Sequence, residues 1–404
     1  MSLFTGKNIL FGVTGGIAAY KAVDWVRSLG REGAKVTVVQ TAAGAKFITP
    51  LTFAVLSGNQ VHSDIFSLGR DATIPHIDLA NNCDLLIIAP ATAATIAKLA
   101  GGIADNLLTN IALATKAKIV IFPAMNSNMY LHPATQCNLD KLQKFKYIVV
   151  PPEYGMMACN TEGPGRLPEW QAAREYIAAA FCRQDLEGIR FLITAGPTCE
   201  DLDPVRFLSN RSSGKMGYAL ARVARQRGAE VVLVSGPCHL PPPPGIEIIK
   251  IRSALEMYEE VHKQAPKAHI IIKAAAVADY RPIRRQEHKI KKGGKNIDLP
   301  LTANKDVLKS LGKMKGDDNR PILVGFAAES ENHLAAGREK LKAKNLDLIV
   351  VNDIASPETG FAAETNQVTI IDNRGSHEKL PLLSKEATAR LIIARAATLV
   401  ISTS

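Results

Sequence analysis

The residues able to do chemistry fall into two sets, one in each half of the 404-residue chain. In the first half, Gly15-Gly16 follows an apolar run and opens a helical pattern. Glycines there let backbone N–H groups approach a phosphate, of a mononucleotide or a flavin, at a helix N-terminus; they equally make a tight turn. The full G-x-G-x-x-G spacing is absent, so no dinucleotide fingerprint is present. Ala89 to Thr95 ends a second apolar run in small residues and hydroxyls, a cradle for a flat ring or phosphate, or a helix cap at Thr92 or Thr95. His76 stands between Pro75 and Ile77, as an acid–base group or a structural one. Asn126 ends Pro123-Ala124-Met125-Asn126, where it can hold a carboxylate or cap a turn. Cys159 sits in a glycine-rich run from Gly155 to Arg166 that reads as a flap, where a thiol is a proton donor or nucleophile rather than core filling.

The second half carries Ala195-Gly196-Pro197-Thr198, then Asn210-Arg211-Ser212-Ser213-Gly214-Lys215 before a helical pattern. Backbone amides and small hydroxyls there suit a phosphate, or a helix cap, although the order is not that of a Walker A loop. Lys273 to Tyr280 ends an apolar run in small residues and an acid, which suits close approach of a nucleotide, with Asp279 near a base, ribose or metal. Lys289-Ile290-Lys291-Lys292 is either a counter-charge for a triphosphate or a solvated basic loop.

Repeated elements must position these residues. Lys7 to Val13 and Ile189 to Thr194 both read as buried strands followed by a glycine turn, a helix and a second strand, at Glu32 to Val39 and at Arg227 to Val234. This is the opening unit of a doubly wound α/β fold. Continuous apolar runs at Asp84 to Ala89, Lys118 to Phe122, His269 to Ala274, Ile322 to Gly325 and Leu346 to Val351 are expected of parallel strands covered on both faces. The fold class is therefore α/β, two doubly wound parallel-sheet domains. The polar stretch from Cys182 to Gly188 marks the boundary, giving domains 1–187 and 188–404. Arg281 to Asn296 is a basic loop or hairpin.

Composition narrows the classes. Hydrophobic residues at 47% and charged residues at 22% exclude a disordered or low-complexity chain. Aromatics at 5% argue against a stacking surface for RNA. The net charge of +11 divides as +2 on residues 1–187 and +9 on 188–404, which suits a polyphosphate ligand as well as nucleic acid. The basic loop lacks interleaved aromatics, which disfavours nucleic acid. The most apolar stretch, Leu85 to Ala114, is broken by Lys98, Asp105, Asn106 and Asn110, so no membrane span is expected. Six cysteines with no C-x-x-C pair fit a reducing, cytoplasmic setting.

In this order on one chain, the motifs resemble the bacterial family of bifunctional phosphopantothenoylcysteine decarboxylases / phosphopantothenate–cysteine ligases of coenzyme A synthesis. In the first half the resemblance rests on Gly15 to Ala18, Pro75-His76-Ile77, Ala89 to Thr95, Pro123 to Asn126 and the Cys159 flap ending Gly-Pro-Gly-Arg. In the second it rests on Ala195 to Thr198, Asn210 to Gly217, Lys273 to Pro282, Lys289 to Lys292, Val324 to Glu329 and Lys340 to Asp353. Asn160 departs from the pattern, which has glycine there, and would stiffen the flap.

The resemblance implies a flavodoxin-like first domain that binds FMN at Gly15, Gly16, Ile17, Thr41, Thr92, Ala93, Ala94 and Thr95 and decarboxylates phosphopantothenoylcysteine. His76 would be the acid–base group near the thiol, Asn126 would hold the departing carboxylate and Cys159 would donate a proton. It implies a Rossmann-like second domain that uses CTP and Mg²⁺ (or Mn²⁺) to join phosphopantothenate to cysteine through an acyl-cytidylate. Lys289 would assist the first step there and Asn210 the second. CTP contacts would be Ala275, Asp279, Lys289, Lys305, Asp306, Val307, Leu308, Phe326, Lys340 and Lys344, with Asp279 the metal ligand. The expected partners are these small molecules, not nucleic acid or membrane. Homo-oligomers are implied too: trimers of the first domain, up to a dodecamer, and dimers of the second. The alternatives are an unrelated flavin reductase, which would consume NAD(P)H, and a flavin-binding regulatory protein.

Overall fold

Apolar runs flanked by glycine turns become two open sheets, each wrapped by helices. The computed structural model describes residues 2–66, 74–158, 160–291, 298–315, 320–329, 333–353 and 363–401. The chain divides into two units, Met1–Cys182 and Arg183–Ser404. The division falls before Gly188 because Leu186 is buried in the second core and Asp185 pairs with Arg227 at 2.6 Å.

The first unit runs β1 (Asn8–Val13), α1 (Ala19–Arg31), β2 (Lys35–Gln40), α2 (Pro50–Ser57), α3 (Pro75–Asn81), β3 (Leu85–Ala91), α4 (Ala93–Gly101), α5 (Leu107–Ala114), β4 (Lys118–Pro123), α6 (Ser127–Leu131), α7 (Pro133–Lys144), β5 (Ile148–Val149), β6 (Glu153–Met156), β7 (Glu162–Arg166) and α8 (Trp170–Phe181). The sheet order is β2-β1-β3-β4-β5, all parallel, which is the flavodoxin-like order. Every residue of β3 is buried, as its unbroken apolar run requires. Helix α1 buries Ala19, Ala22, Trp25, Val26 and Leu29, an i, i+3, i+4 stripe facing the sheet. The Trp25 ring packs edge-on to Phe122 at 4.9 Å.

The second unit runs β8 (Arg190–Ala195), β9 (Cys199–Asp201), β10 (Phe207–Ser209), α9 (Lys215–Gln226), β11 (Glu230–Ser235), β12 (Glu247–Lys250), α10 (Ala254–Gln264), β13 (Ile270–Lys273), β14 (Tyr280–Pro282), β15 (Leu301–Ala303), α11 (Val307–Met314), β16 (Ile322–Glu329), α12 (His333–Ala343), β17 (Leu348–Asp353), β18 (Thr365–Asn366), β19 (Val368–Asp372), β20 (His377–Lys379), β21 (Leu383–Ser384) and α13 (Lys385–Ile401). Its main sheet has the order β12-β11-β8-β13-β16-β17-β19-β20. The first six strands are parallel and follow the Rossmann order; β19 and β20 extend the edge antiparallel. Helix α13 lies on the same face as α9, burying Ala389, Ile392, Ile393, Ala396 and Val400 at helical spacing. The basic stretch after Tyr280 starts as a hairpin, with β14 paired to β15.

Candidate active sites

Each sheet reverses its winding direction at one point, between β1 and β3 in the first unit and between β8 and β13 in the second. Loops part there at the strands' C-terminal ends, and both units open a cleft at that place.

In the first unit, Thr14 ties the two sides of the switch point together. Its buried hydroxyl donates to the Pro90 carbonyl at 2.6 Å and accepts from the Thr92 N–H at 3.2 Å. Gly15 is required by packing, because a Cβ would sit 2.5 Å from that of Ala43. Gly16 is not: a Cβ would meet Thr92 at an ordinary 3.7 Å. What glycine leaves there is bare backbone at the mouth of the cleft. Thr92 caps α4, accepting from the Thr95 N–H.

The cleft has a volume of about 570 Å³ and gathers Gly15, Gly16, Ile17, Thr92, Ala93 and Asn126. Met125, Met129 and the hairpin β6–β7 close its other side. That hairpin is docked on the Asn126 turn. Met125 N–H donates to the Gly165 carbonyl at 3.1 Å, and the Ser127 hydroxyl donates to the Pro164 carbonyl at 2.9 Å. Asn126 caps the short α6, accepting from the Asn128 N–H at 2.9 Å. Asn160 has φ +55°, the left-handed conformation that asparagine tolerates better than other non-glycine residues, so it satisfies a glycine-like turn. Cys159 lies outside the described residues.

Four residues of the expected set do not line this cleft. Thr41 braces its own loop, donating to the Val13 carbonyl and accepting from the Gly44 N–H. Thr95 is buried behind Thr92, and Ala94 faces solvent. His76 sits in the first turn of α3, away from the lining, and its Nδ1 is buried with no hydrogen-bond partner among the described residues. The lining fits a flavin: bare glycine backbone and the α4 N-terminus beside apolar methionines and Ile17, with Lys21 and Arg166 as the cations.

In the second unit, segment 274–278 is laced to segment 194–198. Thr194 Oγ1 accepts from the Ala275 N–H at 3.1 Å, Thr198 Oγ1 accepts from the Ala278 N–H at 3.0 Å, and Ala276 donates to the Gly196 carbonyl. Asn210 donates its side-chain N–H to the Ala276 carbonyl at 3.0 Å. Gly217 lets α9 settle on β8, since a Cβ would lie 2.5 Å from that of Ala195. The N-terminus of α9 therefore points into a cleft of about 300 Å³, lined by residues 212–217, Lys273 to Val277, Asp279, Phe326 to Ala328, Lys340, Asn352, Asn366 and Lys385.

Of the expected nucleotide contacts, Ala275, Asp279, Phe326 and Lys340 line it. Asp306 caps α11 and pairs with Lys344 at 2.8 Å, while burial, which raises its pKa, is outweighed by that lysine and the Lys309 N–H, so the carboxyl stays below the usual range. Val307 and Leu308 bury their side chains in the core, leaving only backbone to offer a ligand. The Lys305 ammonium lies over the Tyr258 ring at 4.8 Å. Lys289 is exposed on a loop pinned by Asp203, which is buried and accepts from the N–H groups of Val205, Arg206 and Ile290. Burial alone would raise the Asp203 pKa; those three donors hold it below the ordinary value. Among the described residues no three His, Cys, Asp or Glu side chains come together as a metal site.

Lys215 and Lys273 stand in the segments expected to meet a phosphate and a nucleotide without being singled out as contacts, and Lys385 stands in no expected motif. A lysine ending the apolar run Ile270-Ile271-Ile272 was the visible signal for Lys273. Lys215 pairs with Glu364, and Lys385 donates to the Ala363 carbonyl and to Asn366 Oδ1 at 3.1 Å. Lys385 joins the cleft only through the tertiary placement of α13, which no local pattern reports.

No helix among the described residues is long and apolar enough to cross a membrane. Residues 3–181 match the family model described as Flavoprotein, and residues 186–399 match that of the DNA/pantothenate metabolism flavoprotein C-terminal domain. The chain is 45% identical over 395 residues to the coenzyme A biosynthesis bifunctional protein CoaBC of Vibrio cholerae serotype O1, covering 97% of this chain and 98% of that one. It is 45% identical over 387 residues to the CoaBC protein of Bacillus subtilis, covering 95% of each. A solved C-terminal domain of a CoaBC protein is 42% identical, covers 54% of this chain and 99% of its own, and has a TM-score of 0.47. With a flavoprotein half followed by a pantothenate-metabolism half along nearly its whole length, the chain belongs to the family of coenzyme A biosynthesis bifunctional proteins.

Proposed function

We propose that the second unit ligates cysteine to phosphopantothenate at the expense of CTP, and that the first unit decarboxylates the product with FMN to give phosphopantetheine. The observation that carries this reading is the pair of clefts, one at each switch point, with different linings: mainly apolar in the first, with the Asn126 amide, Lys21 and Arg166, and lysine-rich with one acid in the second.

In the ligase cleft, the phosphopantothenate carboxylate attacks the CTP α-phosphate, forming an acyl-cytidylate and releasing pyrophosphate. The cysteine amine then attacks the activated carbonyl and releases CMP. Serine hydroxyls, backbone N–H groups and the dipole at the α9 N-terminus favour anionic groups. Lys340 in the wall adds positive charge. Lys289 is exposed on its pinned loop outside the lining, and would have to swing in to offset charge growing on pyrophosphate. Asn210, fixed on the Ala276 carbonyl, orients the intermediate. Asp279 would be the carboxylate for a divalent cation, Mg²⁺ or Mn²⁺, which would supply counter-charge to the phosphates; a single acid fits an ion held largely by substrate phosphates and water.

In the decarboxylase cleft, bound FMN supplies a reversible two-electron exchange with the substrate's cysteine side chain, so carbon dioxide leaves with no net redox change. Asn126, fixed by its cap on α6, holds the departing carboxylate by its amide. The β6–β7 hairpin covers the site and excludes water, and Cys159 donates the last proton. His76 accepts the thiol proton. Its place outside the single-chain lining supports a cleft completed by a second copy, in trimer-based assemblies, and the exposed Ile17, Tyr20 and Ile77 suit such contacts. The ligase units would pair through exposed apolar residues of the β14–β15 hairpin such as Tyr280 and Leu301. A cytoplasmic location completes the reading.

The test is chemical. Flavin released by heat from purified protein is compared with FMN and FAD standards, and pyrophosphate release is measured with CTP and with ATP, with Mg²⁺ and with chelator. FMN and CTP-dependent, metal-dependent release are expected. Bound FAD would overturn the cofactor assignment, and equal use of ATP would overturn the nucleotide assignment.

A further inference from the structure

β13 buries Ile270 and Ile272 in one core layer and Ile271 in the other, with Ala275. Strand alternation puts Lys273 on the Ile271 side, toward α11 and α12. That side is apolar, built from Val307, Leu308, Leu311 and Leu341. Lys273 nonetheless lines the ligase cleft beside Asp279, Phe326 and Lys340.

Its ammonium makes no hydrogen bond or ion pair with any described residue. The nearest charges do not compensate it. Asp306 is engaged with Lys344 and with the α11 N-terminus, Lys344 itself repels Lys273, and Asp279 exerts only a weaker attraction. The other cations of the wall, Lys215, Lys340 and Lys385, add to the positive field. Burial, first, and Lys344, second, push the Lys273 pKa down to about 8. A sequestered cation without a partner is costly and is normally matched by an anion. Here the open side of the group is the cleft.

We propose that Lys273 is a further nucleotide-binding residue, whose ammonium donates to a phosphate oxygen of bound CTP. This rests on the ligase reading of the cleft. The anion is identified by charge: the nucleotide's anionic oxygens are on its phosphates, while Asp279 disfavours them and is left for the ribose or metal. Binding would restore the missing counter-charge and hold Lys273 protonated.

The experiment is calorimetric titration of the full-length protein with CTP and with cytidine, Mg²⁺ present, for the natural chain and for Lys273→Met and Lys273→Arg. Methionine suits the surrounding apolar layer, and thermal melting checks that it folds; Lys273→Gln is the substitute if it does not. The expected result is a CTP affinity lowered about ten- to a hundredfold in Lys273→Met, the range of a charge-assisted hydrogen bond. Lys273→Arg should stay within a few-fold, and cytidine binding should be unchanged. In turnover, the KM for CTP should rise more than kcat falls. Natural chain and Lys273→Met binding CTP equally would overturn the proposal while leaving the ligase reading intact. Equal losses for CTP and cytidine would also overturn it, by moving the contact off the phosphates. A natural chain that binds no CTP would overturn the ligase reading and the proposal together.

Discussion

Gly165→Ala separates the two halves most sharply. Gly165 has φ +147° and its carbonyl accepts from the Met125 N–H at 3.1 Å. A Cβ there would lie 2.1 Å from the Met125 carbonyl oxygen, about 1 Å inside contact distance. Either the hairpin lifts or the turn carrying Asn126 shifts. The backbone conformation costs about 1–3 kcal/mol for a residue with a side chain. The lost hydrogen bond adds about 1 kcal/mol. The sum, about 2–4 kcal/mol, is below the ~5–15 kcal/mol that holds a domain together, so the unit should stay folded with a displaced hairpin. A displacement of about 1 Å at a reacting group costs on the order of a hundredfold in rate. The assay is carbon dioxide release from phosphopantothenoylcysteine, with CTP-dependent pyrophosphate release measured on the same preparation. We expect the first to fall about a hundredfold and the second to be unchanged. Carbon dioxide release at the natural rate would refute the packing argument, and equal loss of both activities would show that the cost is global.

Two further predictions concern the second unit. Asp203→Asn weakens the three N–H contacts that pin the Lys289 loop, so pyrophosphate release should fall severalfold at neutral pH while carbon dioxide release from preformed substrate stays constant; unchanged pyrophosphate release would separate Lys289 from this anchor. Lys273 binds a proton less readily folded, at about 8, than unfolded, at 10.5, so the unfolded chain holds more protons between those values and stability rises with pH across that window. Lys273→Met should therefore melt higher than the natural chain below about pH 8, by at most about 3 kcal/mol, and the gap should close toward pH 10.5; a gap independent of pH would argue against an uncompensated charge.

Most of the architecture was legible in the sequence because parallel strands covered on both faces leave unbroken apolar runs, as in Leu85 to Ala89 and Ile270 to Ile272. The antiparallel edge was not. Strand β20 is three exposed residues, His377–Lys379, whose pattern is that of a loop. The sites were legible as residue types but not as geometry. Asn210 is visible, yet its partner carbonyl, Ala276, is 66 residues away. Val307 and Leu308 fall in the expected nucleotide turn, yet their side chains are core, a distinction that needs the α11 packing. Thr41 and Thr95 have the hydroxyls a phosphate wants, but their own loops use them. His76 lies outside the single-chain cleft, a placement that order along the chain does not report.

The central claim is that two clefts on one chain run consecutive reactions. Purified protein with phosphopantothenate, cysteine, CTP and Mg²⁺ tests it, with pyrophosphate and carbon dioxide followed together and CTP omitted as the control. The account predicts that both products appear in equal amounts, only with CTP, without NAD(P)H, and that phosphopantetheine accumulates. Pyrophosphate without carbon dioxide from flavin-loaded protein, or no product at all, would contradict it.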